Sequence, residues 1–227
     1  PQAMKTPTLR DAGVAAAAMG AMYVLLLGQG LILVRAGVSR TVALTVLPVA
    51  VLVALAVPTV LLVRYMRRRG LELGFARLGR RGWHLLWQAP AVVIGSAAAT
   101  SVVAPLFGLE PRGDSASETL ARDLDSAAPV LLLLVGYLLI GPFIEEIVFR
   151  RVLMNYFDTL MPAAASVLAT AAIFGAAHIA PPAIVFTFFA GIGLALVARF
   201  HGTITASYIV HVVNNLLASA ALIGALL

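Results

Sequence analysis

Seven stretches of this chain run without a charged residue for long enough to cross a bilayer as helices. They cover approximately residues 12–34, 41–63, 85–109, 126–144, 159–177, 182–198 and 203–226, against the roughly 20 apolar residues that a membrane-spanning helix needs. Spanning β-strands would alternate apolar and polar residues at every second position, whereas here Ala, Leu and Val run on continuously. Only 11% of the residues are charged and 61% are apolar, where a soluble domain is about a quarter charged. The expected fold is therefore all-α, a polytopic transmembrane helical bundle of about seven spans, with residues 1–227 forming a single integral membrane domain. The first span is too long for a signal-peptide core and lacks a convincing cleavage site, so it reads as a retained helix.

The chain carries 16 Lys and Arg against 10 Asp and Glu, but the excess is not distributed as a nucleic-acid footprint. Arg64, Arg67, Arg68, Arg69, Arg77, Arg80 and Arg81 all fall between the second and third stretches, with Glu72 the only acid among them. Short Arg-rich loops stay in the cytoplasm and lie on anionic headgroups. That orientation places the N-terminus, with Lys5 and Arg10, in the cytoplasm, and the acidic segment 108–127 outside. The expected location is the cell membrane, with the lipid bilayer as a partner and no nucleic acid. The absence of cysteine excludes disulfides, thiolate nucleophiles and Cys-based metal sites.

The two halves differ in chemistry. Residues 1–109 (the N-terminal helices and the Arg-rich loop) hold almost no polar groups inside their spans. Residues 126–227 hold Glu145, Glu146, Arg150, His178, His211, Asn214 and Asn215, so the last four helices are the expected core of function. Ionisable groups at membrane depth cost about 2.5–3.5 kcal/mol each on insertion scales and are usually paired and functional. The bland alternative is that 145–151 is the end of a span with its charges among headgroups.

Helix geometry separates the two glutamates. Residues four apart share a face, so Glu146 and Arg150 can pair on one helix. Glu145 is turned about 100° away, has no local cation and is suited to general-base work. On the last helix His211 and Asn215 share a face while Asn214 is rotated off it. Two such donors can hold a developing oxyanion, or simply bridge helices; His178 likewise reads either as a packing hydrogen-bonder or as a site residue. If the helix carrying Glu145 runs to about Phe157, and if the prolines at 181–182 end the helix carrying His178, the rise per residue brings Glu145, His178 and His211 to similar depths. One site explains that better than three coincidences.

The stretches "EEIVFR" (145–150), "FGAAH" (174–178) and "HVVNN" (211–215) match EExxxR, FxxxH and HxxxN motifs in order and spacing. With Pro142 just before the acidic pair, residues 126–220 resemble the CPBP family of CAAX proteases and bacteriocin-processing enzymes (the Abi family), which includes the Ras-converting CAAX endopeptidase. One departure is Arg151, where relatives commonly carry Gly; it is expected to alter the mouth of the site. The resemblance implies an intramembrane endopeptidase in which Glu145 and His178 activate water, His211 and Asn215 hold the oxyanion, and Glu146 and Arg150 buttress the site. It implies a membrane-associated peptide or prenylated CAAX protein as substrate.

On this reading Glu145 takes a proton from water and returns it to the leaving amine, with no cofactor required. A zinc variant stays open, since Glu145, His178 and His211 would make a His₂Glu ligand set; but HExxH is absent and Asn215 is a poor zinc ligand. A proton-coupled transporter or inactive scaffold is the rival class, because intramembrane Glu, Arg and His also mark ion pathways. Transporters usually show repeated halves, and these two halves differ in polarity.

Overall fold

The computed structural model describes residues 5–109, 127–178 and 181–220, and every regular element among them is a helix. Most of the acidic segment 108–127 lies outside the described residues. Helix α1 (Leu9–Arg35) starts at a capping box: the Thr8 amide and hydroxyl donate to Asp11 at 2.8 and 2.7 Å, and the Asp11 amide donates back to the Thr8 hydroxyl at 3.4 Å. This reciprocal arrangement satisfies donors that a helix start leaves open. Helix α2 (Arg40–Arg68) ends with Gly70 at φ +66°, and the Leu71 amide reaches back to the Met66 carbonyl at 2.9 Å. Only a residue tolerant of the left-handed region can close a helix this way.

After an irregular stretch and a short turn (Arg80–His84), α3 covers Leu85–Leu106. Helix α4 is one continuous run: Ala127–Val135, Gly136–Ile140, Gly141–Glu145, Glu146–Leu153 and Met154–Phe157, with the second and fourth stretches wound as π-helix. Helices α5 (Ala163–Ala176), α6 (Pro181–His201) and α7 (Ile204–Ala218) complete the bundle. The seven-helix expectation thus matches a multi-pass membrane protein. Among the described residues, five helices are long and apolar enough to cross a bilayer. The other two, α5 and α7, have 14 and 15 residues. At 1.5 Å per residue they rise about 21–23 Å, short of a hydrocarbon core about 30 Å thick.

The most buried part of the bundle is the part of α4 that looks most polar in sequence. Every residue from Glu146 to Leu153 is buried, with Ile144, Ile147 and Val148 wholly enclosed. The side chains of Glu146, Arg150 and Arg151 are therefore enclosed by protein. Helix α5 packs on α6 closely enough that a Cβ on Gly175 would stand 2.9 Å from the Ile184 carbonyl, and one on Gly191 would stand 3.1 Å from the Phe174 ring.

Two expectations are corrected here. The prolines at 181–182 do not end the helix carrying His178. Helix α5 stops earlier, at Ala176, and Pro181 opens α6, a position whose N–H has no intrahelical partner to lose. His178 accordingly sits in the turn just past α5. Arg151 does not shape the mouth of a site either. It is 1% exposed, its Nε donates to the Glu72 carbonyl at 2.8 Å and its Nη2 to the Lys5 carbonyl at 2.9 Å. A Cβ on Gly74 (φ +88°) would stand 2.8 Å from the Arg151 Cδ, so the loop folds directly over this side chain.

The same loop is stitched to the α6–α7 turn. Gly74 O accepts from the Ile204 amide (3.1 Å) and the Thr203 hydroxyl (3.0 Å), and Ala76 O accepts from the Thr205 hydroxyl (2.8 Å). Lys5 Nζ donates to Arg69 O at 2.7 Å, while Tyr65 and Arg69 both donate to Asp11. The N-terminus, the Arg-rich loop and the α6–α7 turn therefore share one end of the bundle.

Candidate active site

A cavity of about 540 Å³ lies between α1, α2, α4, α6 and α7. Its walls are mostly apolar, with Met22, Leu26 and Leu55 from the first two helices. Its polar residues are Glu145, His178, His211, Asn214 and Asn215, together with Tyr23, Tyr137, Thr187 and Ser219. The structure thus brings all four residues expected to do chemistry to one space, from three separate elements. Glu146 and Arg150 lie behind that surface, at 0% and 1% exposure.

The centre of the arrangement is His211, held between the two carboxylates. Its Nδ1 is 3.0 Å from Glu146 Oε1, and its Nε2 is 3.4 Å from Glu145 Oε2. Glu146 is close to saturated: besides His211, it meets Arg150 Nη1 at 3.2 Å and accepts from the Ser207 hydroxyl at 2.5 Å. An ionised carboxylate offers about four acceptor sites, and here two are hydrogen-bonded, to Ser207 and His211, while the Arg150 cation stands against the carboxylate as an ion pair. Glu145, on the same helix but turned toward the cavity, faces the single His211 nitrogen. The expected split between a bound glutamate and a free-standing one is therefore present in the geometry.

Arg150 is balanced by more than its carboxylate. Its guanidinium lies 4.3 Å from the centre of the Phe174 ring, a cation–π contact strengthened by burial. Phe174 also meets His178 edge-on at 4.9 Å and His211 at 5.8 Å between ring centres. This one ring spaces both imidazoles and the cation. In sequence it is only the first letter of a motif.

His178 owes its placing to the end of α5. The last carbonyls of a helix lack intrahelical partners, and the His178 Nδ1 lies 2.8 Å from the Phe174 carbonyl. A carbonyl can only accept, so Nδ1 carries the hydrogen. In a neutral ring that leaves Nε2 as an acceptor, suited to holding a water by one of its hydrogens.

Asn215 is placed by a defect in α4. In the π-wound stretch the Gly141 amide bonds the Gly136 carbonyl, five residues back. The next bond in that register would run from residue 142 to the Tyr137 carbonyl, but residue 142 is proline and has no N–H. Asn215 Nδ2 supplies the missing donor, at 3.0 Å from Tyr137 O. One hydrogen of the Asn215 amide remains for another acceptor. Asn214, expected to lie off the His211 face, also lines the cavity and donates to Asn215 Oδ1 at 3.3 Å; an amide side chain reaches round to its neighbour although its Cα is rotated away. Ser207 and the Tyr137 carbonyl escape sequence reasoning altogether. Ser207 sits one turn before His211, and that i−4 spacing is the only signal for it.

Among the described residues no three His, Cys, Asp or Glu side chains are gathered to hold a metal ion. His178 Nδ1 and both His211 nitrogens already face protein partners.

Residues 127–217 match the family model described as type II CAAX prenyl endopeptidase, Rce1-like. No curated protein and no solved structure matches the chain. The matched residues include Glu145, Glu146, Arg150, His178, Ser207, His211 and Asn215, and stop short of the α1 and α2 wall. Over residues 127–217, the chain is similar to the Rce1-like family of type II CAAX prenyl endopeptidases.

Proposed function

We propose that the chain hydrolyses a peptide bond of a membrane-associated substrate inside the bilayer, using water activated by Glu145. The observation that carries this reading is the position of His211 between a saturated carboxylate and one facing the cavity. Glu145 takes a proton from a water held by His178 Nε2, and that water attacks the scissile carbonyl. Asn215 offers the oxyanion its remaining amide hydrogen. To act as the second donor, His211 must carry hydrogen on Nε2, since its Nδ1–H is directed to Glu146. A proton taken up by Glu145 lies within reach of that nitrogen, 3.4 Å away. The proton shared between His211 Nε2 and Glu145 finally returns through Glu145 to the leaving amine, so acid and base are one group. Preorganised donors of this kind contribute about 10²–10³ in rate each.

The apolar walls suit a substrate that arrives through lipid, including a C-terminal peptide bearing a prenyl chain. The positive charge of the Arg-rich end of the bundle supports a cytoplasmic orientation of that end in a cell membrane. Lipidated and plain peptides incubated with the wild type and with Glu145→Ala, then analysed by mass spectrometry, test the proposal. Cleavage products that persist in the variant, or none with either peptide from a folded wild type, overturn it.

A further inference from the structure

A second cleft, of about 550 Å³, opens between α3 and α6 on the side of the bundle away from the polar cluster, and it shares only Leu194's helix with the first. It is lined by Trp87, Ala91, Gly95 and Ser96 on one side and by Phe189 and Phe200 on the other. The two helices touch where a Cβ on Gly193 would stand 2.8 Å from Val92. They part beside Gly95, where a Cβ would meet nothing within 4 Å. A crevice at hydrocarbon depth forfeits dispersion energy unless a chain fills it.

One end of this cleft is cationic. The Arg81 guanidinium stands 5.5 Å from the Phe200 ring centre, and the His84 ring meets Phe200 edge-on at 5.1 Å. The Trp87 indole, which can only donate, gives its hydrogen to His84 Nδ1 at 2.9 Å. The second nitrogen of His84, Nε2, is therefore the one that carries hydrogen. Among the described residues, carboxylates pair with Arg69, Arg150 and Arg199, and none pairs with Arg81. Trp83 and Trp87 are 62% and 52% exposed at the same level, as aromatic side chains are at a membrane interface.

We propose that this cleft binds one acyl chain of an anionic phospholipid of the surrounding bilayer, with the headgroup phosphate on Arg81 and His84 Nε2. Basic pockets between spanning helices on the cytoplasmic side hold anionic headgroups, and Arg is the side chain best shaped for phosphate. The inference does not depend on what the Glu145 cluster does.

Native mass spectrometry of the purified protein, titrated with phosphatidylglycerol or with phosphatidylcholine of the same chains, tests the site. Phosphatidylglycerol is expected to be retained in preference. Arg81→Ala should lower that preference roughly fivefold, the contribution of one cation at an anionic surface. Arg67→Ala, an exposed cation of the same basic region, should leave it unchanged. Gly95→Phe fills the cleft without straining the helix and should reduce retention of both lipids, with the melting temperature in lipid-free detergent maintained or raised. Equal retention of the two lipids, an Arg67→Ala loss as large as that of Arg81→Ala, or wild-type retention by Gly95→Phe would each overturn the proposal. So would a thermal shift from inorganic phosphate alone as large as that from the phospholipid, because the chain would then contribute nothing.

Discussion

Replacing Glu146 by Gln keeps the shape of the side chain and removes its charge. The amide nitrogen can turn to Ser207, whose hydroxyl then accepts, and the remaining oxygen can still face His211. Arg150 loses its counter-ion at 1% exposure, with its Nε and Nη1 already lacking hydrogen-bond partners. Removing one member of a buried pair costs about 3–5 kcal/mol, and at about 2–4 °C per kcal/mol the melting temperature should fall by roughly 6–20 °C. Adding Arg150→Met removes the stranded cation and retains much of the packing against Phe174, so the double variant should recover most of the lost melting temperature. It should not recover turnover, because His211 Nδ1 still lacks a carboxylate. An orienting carboxylate beside a catalytic imidazole is worth up to about 10⁴ in rate. Melting temperature and cleavage rate, measured in detergent on the wild type, the single variant and the double variant, decide the matter. A Glu146→Gln protein that melts like the wild type refutes the structural role of the pair, and a double variant that regains both stability and turnover refutes the orienting role of Glu146.

Glu145→Gln, whose carboxylate faces His211 Nε2, should fold and melt like the wild type and lose nearly all turnover; an unfolded variant would mean the two glutamates have exchanged roles. Asn215→Ala should cost roughly 10²–10³ in cleavage rate with KM little changed, and Asn214→Ala less, the reverse order removing Asn215 from the oxyanion assignment. Cleavage should survive EDTA and phenanthroline, and loss restored by added zinc would reinstate the metal reading. Single cysteines at positions 67 and 115 of this Cys-free chain should differ in intact cells, position 115 reacting with an impermeant maleimide and position 67 not, and the opposite pattern would invert the topology.

Much of the arrangement is legible in the sequence because helical periodicity reports which residues share a face. The spacing of Glu146 and Arg150 gives their pairing, and uncharged runs give the helices. What periodicity cannot report is the neighbour each face meets. Ser207 is an ordinary serine until α7 is laid against α4. The Tyr137 carbonyl becomes an acceptor only because the backbone is wound in a wider register one residue short of a proline. The N-terminal half reads as featureless, yet Met22, Tyr23 and Leu55 enclose the cavity, since a wall needs shape rather than polarity. The prolines at 181–182 mislead because a proline is compatible with both the stop of one helix and the start of the next. Here α5 had already ended.

The hydrogen bonds between Ala76 and Thr205 join residues 129 positions apart. Helices α1 and α2 are synthesised first, and the loop that follows them is fastened both to Arg151 of α4 and to a turn made near the end of translation. Until Thr203 and Thr205 emerge, that loop lacks its bonds to the α6–α7 turn. The helix that follows that turn is also the one that delivers His211 and Asn215. Assembly is therefore ordered in time: the last fastening of the loop and the arrival of His211 and Asn215 come together, and a partly made chain has neither.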